Sequence, residues 1–143
     1  FETFIAKLPE CRKQCGDRAV LRAFHIYADN DRVAKQVAAL REGDFTTFLN
    51  LVGESGQSSW EYLQNVIPAG YKEHQEVAVT IAAAKHFLGG KGAVRVHGGG
   101  FAGTVQAFVP VELLAGFKAN MEAILGEGRC HVLSIRPEGG AVL

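Results

Sequence analysis

The sequence predicts one α+β domain with a small, mainly antiparallel sheet that packs with helices on one face. Three observations support this prediction. The 143 residues are 48% hydrophobic and 21% charged, which suits one domain with its own core. The apolar residues follow a helical period up to Leu88 and an alternating period soon after it. The first two predicted strands are too close together for the crossover helix that parallel strands need.

The charge balance argues against nucleic-acid and membrane partners. The sequence has fifteen Lys and Arg residues and fifteen Asp and Glu residues, so the formal net charge is zero. The longest apolar run, residues 77–84, is interrupted by Thr80 and is shorter than the roughly 20 residues that span a bilayer. We therefore expect no transmembrane helix, and partners that are small molecules or other parts of the same protein.

The start of the chain and its cysteines indicate a cytoplasmic fragment. The chain begins at Phe1, without Met and without the basic and then apolar start of a secretory signal. We expect it to be part of a longer protein. The three cysteines form no disulfide framework, and Cys11 and Cys15 lack the second ligand pair of a zinc site. A reducing, cytoplasmic location fits them.

Two amphipathic helices are predicted first. Residues 17–41 keep apolar groups on one face, and Gly43 supplies the stop. Asp44 is placed to cap a second helix, whose apolar face is interrupted by small polar residues at 55–59. The apolar residues of that second helix are Phe45, Phe48, Leu49 and Val52.

A third helix and two strands follow. Residues 71–88 are rich in alanine and predict a helix that begins after a break at residues 67–70. Glycines at residues 89–92 end this helix. Residues 93–97 and 103–109 then alternate between the two faces of a predicted hairpin.

The last predicted elements are a helix and a strand. Pro110 and Glu112 open the fourth helix. Its buried stripe consists of Leu114, Phe117, Met121 and Leu125. Residues 130–136 predict a third strand, and residues 137–143 predict a turn and an edge strand.

A glycine-rich stretch between the two strands is the only dense chemical signal. It consists of Gly98, Gly99, Gly100, Phe101, Ala102 and Gly103. The spacing matches a dinucleotide fingerprint, but that motif needs a helix to follow, and here a strand follows. With Val105 it also matches the protein-kinase glycine-rich loop, although no HRD or DFG triplet is present. No Gly-Lys-Ser or Gly-Lys-Thr completes a Walker A motif.

The backbone properties of these glycines leave two interpretations of the stretch open. Residues without Cβ let the backbone come close to another group and turn several N–H donors toward one point, which suits phosphate or sugar oxygens. The alternative is a tight connection between strands whose glycines only accommodate positive φ angles. The residues alone do not decide between them.

Two side chains beside the stretch are candidate supporting residues. Arg95 could neutralise phosphate charge as a forked donor, or it could pair with a neighbouring carboxylate. His97 could touch a phosphate or sugar hydroxyl, or it could form a hydrogen bond within the turn. The other histidines are scattered, and no metal site is predicted.

Two blocks of the sequence resemble the GHMP sugar and small-molecule kinases, most closely the galactokinases. Residues 93–104 are similar to the third motif of that family, in which a strand ending in Arg-x-Thr-Gly leads into a Gly-Phe-Gly-Gly run. Residues 21–44 are similar to a galactokinase helix, through His25-Ile26, Asn30, Arg32-Val33 and the pair Gly43-Asp44. With the connecting helices, the resemblance covers nearly the whole chain.

The resemblance implies that residues 1–143 are the C-terminal domain of a two-domain kinase, with a ferredoxin-like α+β fold. The implied parent is an ATP-dependent sugar kinase that phosphorylates the C1 hydroxyl of galactose. Residues 98–103 would help shape the nucleotide and sugar site, with Arg95 and His97 as support. The N-terminal kinase domain would be the partner and would bind most of the ATP and Mg²⁺. The catalytic Asp would also lie there, so no catalytic residue is assigned here and the chain alone is expected to be inactive.

Several positions depart from the family pattern and keep alternatives open. Gly56 stands where a His often follows the Ser, His97 replaces a Thr, and Ala102 replaces a Gly. Residues 66–68 replace a Val-Ser-Cys-Pro-Glu-like segment. One alternative is a non-catalytic ligand-sensing or interaction module derived from such a kinase. Another is a free-standing nucleotide-binding domain, which would bind ATP by itself.

Overall fold

The computed structural model describes residues 1–101, 103–135 and 137–138. These residues form an α+β structure, as predicted. The helices are α1 (Glu2–Ala6), α2 (Leu8–Cys15), α3 (Asp17–Glu42), α4 (Phe45–Ser58), α5 (Glu76–Leu88) and α6 (Leu114–Leu125). The strands are β1 (Ala93–Val96) and β2 (Val105–Phe108), a π-helical turn covers Ser59–Leu63, and a 3₁₀ turn covers Val111–Leu113.

The boundary between α3 and α4 confirms the prediction from the sequence. Gly43 ends α3 in the left-handed conformation, with φ of 72°. Asp44 caps α4 because its Oδ1 accepts a hydrogen bond of 3.0 Å from the backbone N–H of Thr47. The hydrogen bonds from Thr47 also lower the pKa of the Asp44 carboxyl. The left-handed Gly43 and the Asp44 cap are therefore sufficient to fix the boundary between α3 and α4.

The two strands form an antiparallel hairpin. Ala93 lies opposite Phe108 and Val96 lies opposite Val105. No further strand pairs with the hairpin in the described ranges. The small antiparallel sheet is therefore confirmed, whereas the ferredoxin-like arrangement implied by the resemblance stays a prediction.

The hydrophobic core lies between the hairpin, α5 and α6. The buried residues of this core are Val66, Val77, Ala78, Ile81, Ala84, Leu88, Val94, Val96 and Met121. Val94 and Val96 project from one face of β1, because alternate residues of a strand point to the same side. The predicted stripe of α6 contributes Phe117, Met121 and Leu125 to this cluster.

Helices contact β1 on two sides, whereas the sequence predicted helices on one face only. Arg95 points to the side opposite Val94 and Val96, and there it meets α4. This approach is close because Gly56 has no side chain: an added Cβ would lie 2.8 Å from the Cβ of Arg95. The backbone of α4 therefore rests directly on the strand.

The N-terminal helices α1 and α2 were not predicted. Their packing onto α3 includes an aromatic cluster of Phe1, Phe4, Phe24 and Tyr27. The ring centroids of Phe4 and Phe24 lie 5.1 Å apart in an edge-to-face arrangement. Such contacts join residues far apart in sequence, so the helical period of residues 2–15 alone does not predict them.

The predicted start of α5 at residue 71 is wrong, because the helix begins at Glu76. The side chain of Gln75 donates to the backbone carbonyls of Tyr71 and Lys72, both at 3.3 Å. These bonds keep residues 71–75 in an irregular, bent conformation, since a side-chain donor that binds nearby carbonyls competes with helical hydrogen bonding.

The predicted third strand at residues 130–136 is also not formed over its described part. Residues 130–135 adopt no strand pairing, and Val132, Leu133 and Ile135 are 61%, 87% and 89% exposed. A strand needs a partner for its N–H and C=O groups, and none lies alongside in the described residues. Arg136 and the predicted edge strand at 139–143 lie outside the described residues, whereas Pro137 and Glu138 form a bend.

The length and hydrophobicity of the helices bear on whether the chain could cross a membrane. Within the ranges described above, none is both long and apolar enough to traverse a bilayer.

The packing of α5 gives a first prediction. Ile81→Ala should lower the free energy of unfolding by about 2–5 kcal/mol, because Ile81 is 4% exposed and its removal leaves a cavity in the core. Urea denaturation followed by circular dichroism measures the change. Val79→Ala is the matched control on the same helix, since Val79 is 56% exposed and its loss should cost under about 0.5 kcal/mol. Equal effects of the two variants would contradict this core.

Candidate functional site

The glycine loop, residues 98–103, connects β1 to β2 as a strained turn. Its base is closed by a hydrogen bond of 2.9 Å from the backbone N–H of His97 to the carbonyl of Thr104. Gly98, Gly100 and Gly103 have φ of 63°, 75° and 81°. Glycine is needed for these angles because other residues adopt them only at a cost in energy. Ala102 lies outside the described residues.

Most N–H donors in the described part of the loop have no protein acceptor. Phe101 donates its backbone N–H to the carbonyl of Asn65 at 3.0 Å. The N–H groups of Gly98, Gly99 and Gly100 form no hydrogen bond within the described residues. Adjacent backbone donors of this kind can bind the oxygens of an anion or a sugar. The described part of the loop thus has positive φ angles and available donors, and binding of phosphate or sugar oxygens stays a prediction.

Asn65 contacts the loop, because its backbone carbonyl accepts the N–H of Phe101. The sequence patterns do not predict this residue as part of the site. It follows the π-helical turn, which ends at Gln64 in the left-handed conformation with φ of 56°. An added Cβ at Gly100 would collide with the carbonyl oxygen of Asn65 and lie 2.8 Å from its Cγ. Gly100 is therefore glycine for two reasons, its φ angle and this close approach. No spacing pattern links residues 65 and 100, so only the folded chain reveals the contact.

A small cleft opens beside the loop. Its volume is about 150 Å³. The lining residues are Val66, Pro68, Gln75, Glu76, Val77, Phe101 and Gly103. The first turn of α5 thus forms the wall opposite the loop. This cleft is smaller than the roughly 300–1,000 Å³ of a complete small-molecule site, so it can hold only part of a ligand of that size.

Arg95 lies in a different groove from the glycine-loop cleft. This second groove has a volume of about 480 Å³. It is lined by Gly56, Gln57, Trp60, Glu61, Ile81, Lys85, Val94 and Arg95. The two candidate groups, Arg95 and the loop, are thus neighbours in sequence but line separate depressions. A direct role of Arg95 in binding phosphate stays a prediction.

The guanidinium of Arg95 is held by α4. Its Nη1 donates to the hydroxyl oxygen of Ser55 at 2.7 Å, and its Nε donates to the carbonyl of Val96 at 3.1 Å. Since arginine only donates, the hydroxyl proton of Ser55 is free to go to Asp29, whose Oδ1 accepts it at 2.7 Å. A single hydroxyl therefore connects the Arg95 cation to the Asp29 carboxylate, which is an indirect form of the carboxylate pairing considered for Arg95.

The Asp29 carboxylate also contacts two other side chains of α3. Arg32 donates to Oδ1 of Asp29 at 3.1 Å and lies 3.6 Å from a carboxylate oxygen of Glu54. The Nε2 atom of His25 lies 3.6 Å from Oδ2 of Asp29, and its Nδ1 is 3.0 Å from the hydroxyl of Ser58. This polar network joins α3, α4 and β1. It includes His25 and Arg32, two residues of the galactokinase-like block.

Burial lowers the pKa of His25. Desolvation is the largest cause, and the positive charges of Arg32 and Arg95 act in the same direction, whereas the Asp29 carboxylate opposes them. His25 is 4% exposed, so its neutral form is favoured near pH 7.

No metal-binding group forms around His97 or the other histidines within the described residues. The imidazole of His97 is exposed, and the hydrogen bond within the turn is made by its backbone. A ligand contact by His97 stays a prediction. Among the described residues, no group of three or more His, Cys, Asp and Glu side chains could hold a metal ion.

Comparison with known proteins supports a relationship to galactokinases. No protein-family model matches the chain. A galactokinase from Mannheimia succiniciproducens is 33% identical over 94 residues, which are 66% of this chain and 23% of that protein. The chain thus spans about a quarter of the length of that relative. It is similar in sequence to this part of a galactokinase.

The Ser55 bridge gives a second prediction. Ser55→Ala should lower the free energy of unfolding by about 1–3 kcal/mol, because it removes the acceptor of Arg95 and a donor to Asp29 in a buried site. Thr80→Val is the control, since the Thr80 hydroxyl donates only to the carbonyl of Glu76 within its own helix. Urea unfolding curves of both variants measure the difference. A Ser55→Ala variant as stable as the native protein would show that this network contributes nothing.

The pKa of His25 gives a third prediction. Because the folded state lowers this pKa, the unfolded state binds the proton more tightly, and stability should fall as the pH drops below about 6.5. His25→Gln should remove this part of the pH dependence. Thermal unfolding between pH 5 and pH 8 measures it, with His74→Gln as an exposed control. An unchanged slope in His25→Gln would refute the assignment.

Proposed function

We propose that this chain is the C-terminal domain of an ATP-dependent sugar kinase, with galactose as the leading substrate. The observation that carries the proposal is the glycine loop, in which the N–H groups of Gly98, Gly99 and Gly100 have no partner within the described residues. It occupies the stretch that resembles the third motif of the GHMP kinases. The similarity to a galactokinase over 66% of the chain supports the same conclusion.

In the proposed reaction, the C1 hydroxyl of galactose attacks the γ-phosphorus of ATP. The bond to the bridging oxygen of ADP breaks, and the hydroxyl proton leaves to a base in the N-terminal domain. The backbone donors of the glycine loop would bind phosphoryl or sugar oxygens at one wall of the site. Fixed donors of this kind stabilise developing negative charge without having to reorganise.

Most of the nucleotide site is proposed to lie in the N-terminal kinase domain. The cleft beside the loop has a volume of about 150 Å³, which is too small for a whole nucleotide. The donor set of the loop consists of N–H groups, which fit phosphate oxygens and not Mg²⁺. Mg²⁺, which supplies charge neutralisation when bound with ATP, is therefore assigned to the other domain. A cytoplasmic setting belongs to the same proposal.

The supporting residues have different proposed roles. His97 lies directly before the loop with an exposed imidazole, and it would contact a sugar hydroxyl or a phosphoryl oxygen. Arg95 is tied to Ser55 and would act indirectly, by holding the strand that leads into the loop. Both roles follow from position relative to residues 98–103.

The fourth prediction tests the activity. The intact protein should release ADP from Mg-ATP only in the presence of a hexose, with galactose preferred among a panel of sugars, and the isolated chain should release none. Gly100→Ala should lower kcat/KM at least about a hundredfold, because the new Cβ displaces the loop from Asn65 and misplaces its donors.

Gly92→Ala is the matched control for Gly100→Ala. Gly92 also has positive φ, and a Cβ there would collide with the carbonyl oxygen of Phe108, at the opposite end of the hairpin. It should lose stability but keep kcat/KM per folded molecule. Sugar binding by the intact protein without turnover would favour the ligand-sensing module instead. ATP binding by the chain alone would favour the free-standing nucleotide-binding domain.

A further inference from the structure

The side chain of Asn65 is buried without any hydrogen-bond partner. The residue is 2% exposed, and within the described residues neither Oδ1 nor Nδ2 has a partner. A buried carboxamide that has lost water and gained no partner is costly, and such groups are rare in folded proteins. An apolar side chain at this position would avoid the cost.

This carboxamide lies directly under the glycine loop. The Cβ position of Gly100 is 2.8 Å from Cγ of Asn65, and the backbone carbonyl of Asn65 accepts the N–H of Phe101. A carboxamide offers both a donor and an acceptor, and so does each peptide group of the loop. The carboxamide carbon of Asn65 therefore lies against Gly100, next to peptide groups that could serve as its hydrogen-bond partners.

Backbone strain is concentrated at the same contact. Gln64 precedes Asn65 with φ of 56°, and Phe101 follows Gly100 with φ of 51°. In the described part of the chain, these are the two residues other than glycine with positive φ. Such conformations persist only when surrounding contacts impose them, and they concentrate at ligand-binding and switch segments.

We propose that Asn65 is a positioning residue of the glycine loop, whose carboxamide gains backbone partners only when the loop shifts to its ligand-binding conformation. A ligand that binds the N–H groups of Gly98, Gly99 and Gly100 would favour the shifted loop, because only that conformation satisfies the carboxamide. The nature of this ligand, with phosphoryl or sugar oxygens, rests on the proposed function.

Two substitutions at Asn65 test this inference in the intact protein. Asn65→Leu keeps a branched side chain but removes both polar atoms. Asn65→Ala serves if Leu is too large for the site, since the close contact with Gly100 leaves little room. Both should weaken binding of Mg-ADP or galactose about tenfold by isothermal titration calorimetry, because the shifted loop loses its partner. Inorganic phosphate is the third probe.

A measurement without ligand separates this inference from the proposed function. With ¹⁵N-labelled glycine, relaxation dispersion of Gly98, Gly99 and Gly100 should show exchange between two loop conformations in the unliganded protein. Both Asn65 variants should abolish this exchange. If the native protein binds none of the three probes but shows the exchange and the variants lose it, the proposed function fails while the role of Asn65 in loop conformation stands.

Ser59→Ala is the matched control. The Ser59 hydroxyl is also buried without a partner in the described residues, but the residue makes no hydrogen bond to the loop there. Its removal should leave both affinity and loop exchange unchanged. The inference is overturned if the Asn65 variants retain native loop dynamics, if they bind as tightly as the native protein, or if Ser59→Ala weakens binding equally.

Discussion

The contact between α4 and β1 is the constraint on which the candidate site depends. At this contact Gly56 brings the helix backbone against Arg95, and the neighbouring hydroxyl of Ser55 bridges the Arg95 guanidinium and the Asp29 carboxylate. A hydroxyl can do this because it accepts from one group while it donates to another. The bridge ties the long helix α3, through α4, to the strand that enters the glycine loop.

The glycine loop is consequently supported at two places. Its entry strand is held by the polar network around Asp29, and its apex rests on Asn65. Between these supports, the backbone N–H groups of Gly98, Gly99 and Gly100 have no partner within the described residues. A well-supported frame that carries a small segment of available donors suits oxygen-rich ligands, because only this segment has to move when a ligand binds. Arg95 itself lines a different groove from the cleft beside the loop.

Sequence periodicity predicted the elements whose boundaries depend on local chemistry. The corner at Gly43 and Asp44 is correct because a left-handed glycine and a capping carboxylate act within one helical turn. The start of α5 was misplaced because side-chain bonds of Gln75 override the helical period. The prediction of a strand at residues 130–136 was wrong over its described part. Alternating apolar residues show that a segment could pair, whereas a strand forms only when another strand lies beside it.

The sequence by itself determined the α+β class, the hairpin and the glycine loop as the candidate site, since each depends on residues adjacent in the chain. Only the tertiary structure decided what surrounds that loop. The Asp29 and Ser55 bonds that restrain Arg95, and the Asn65 side chain beneath Gly100, join residues 26 to 40 positions apart. No periodic pattern encodes such contacts, because they arise from how helices and strands pack and not from the conformation of any one segment.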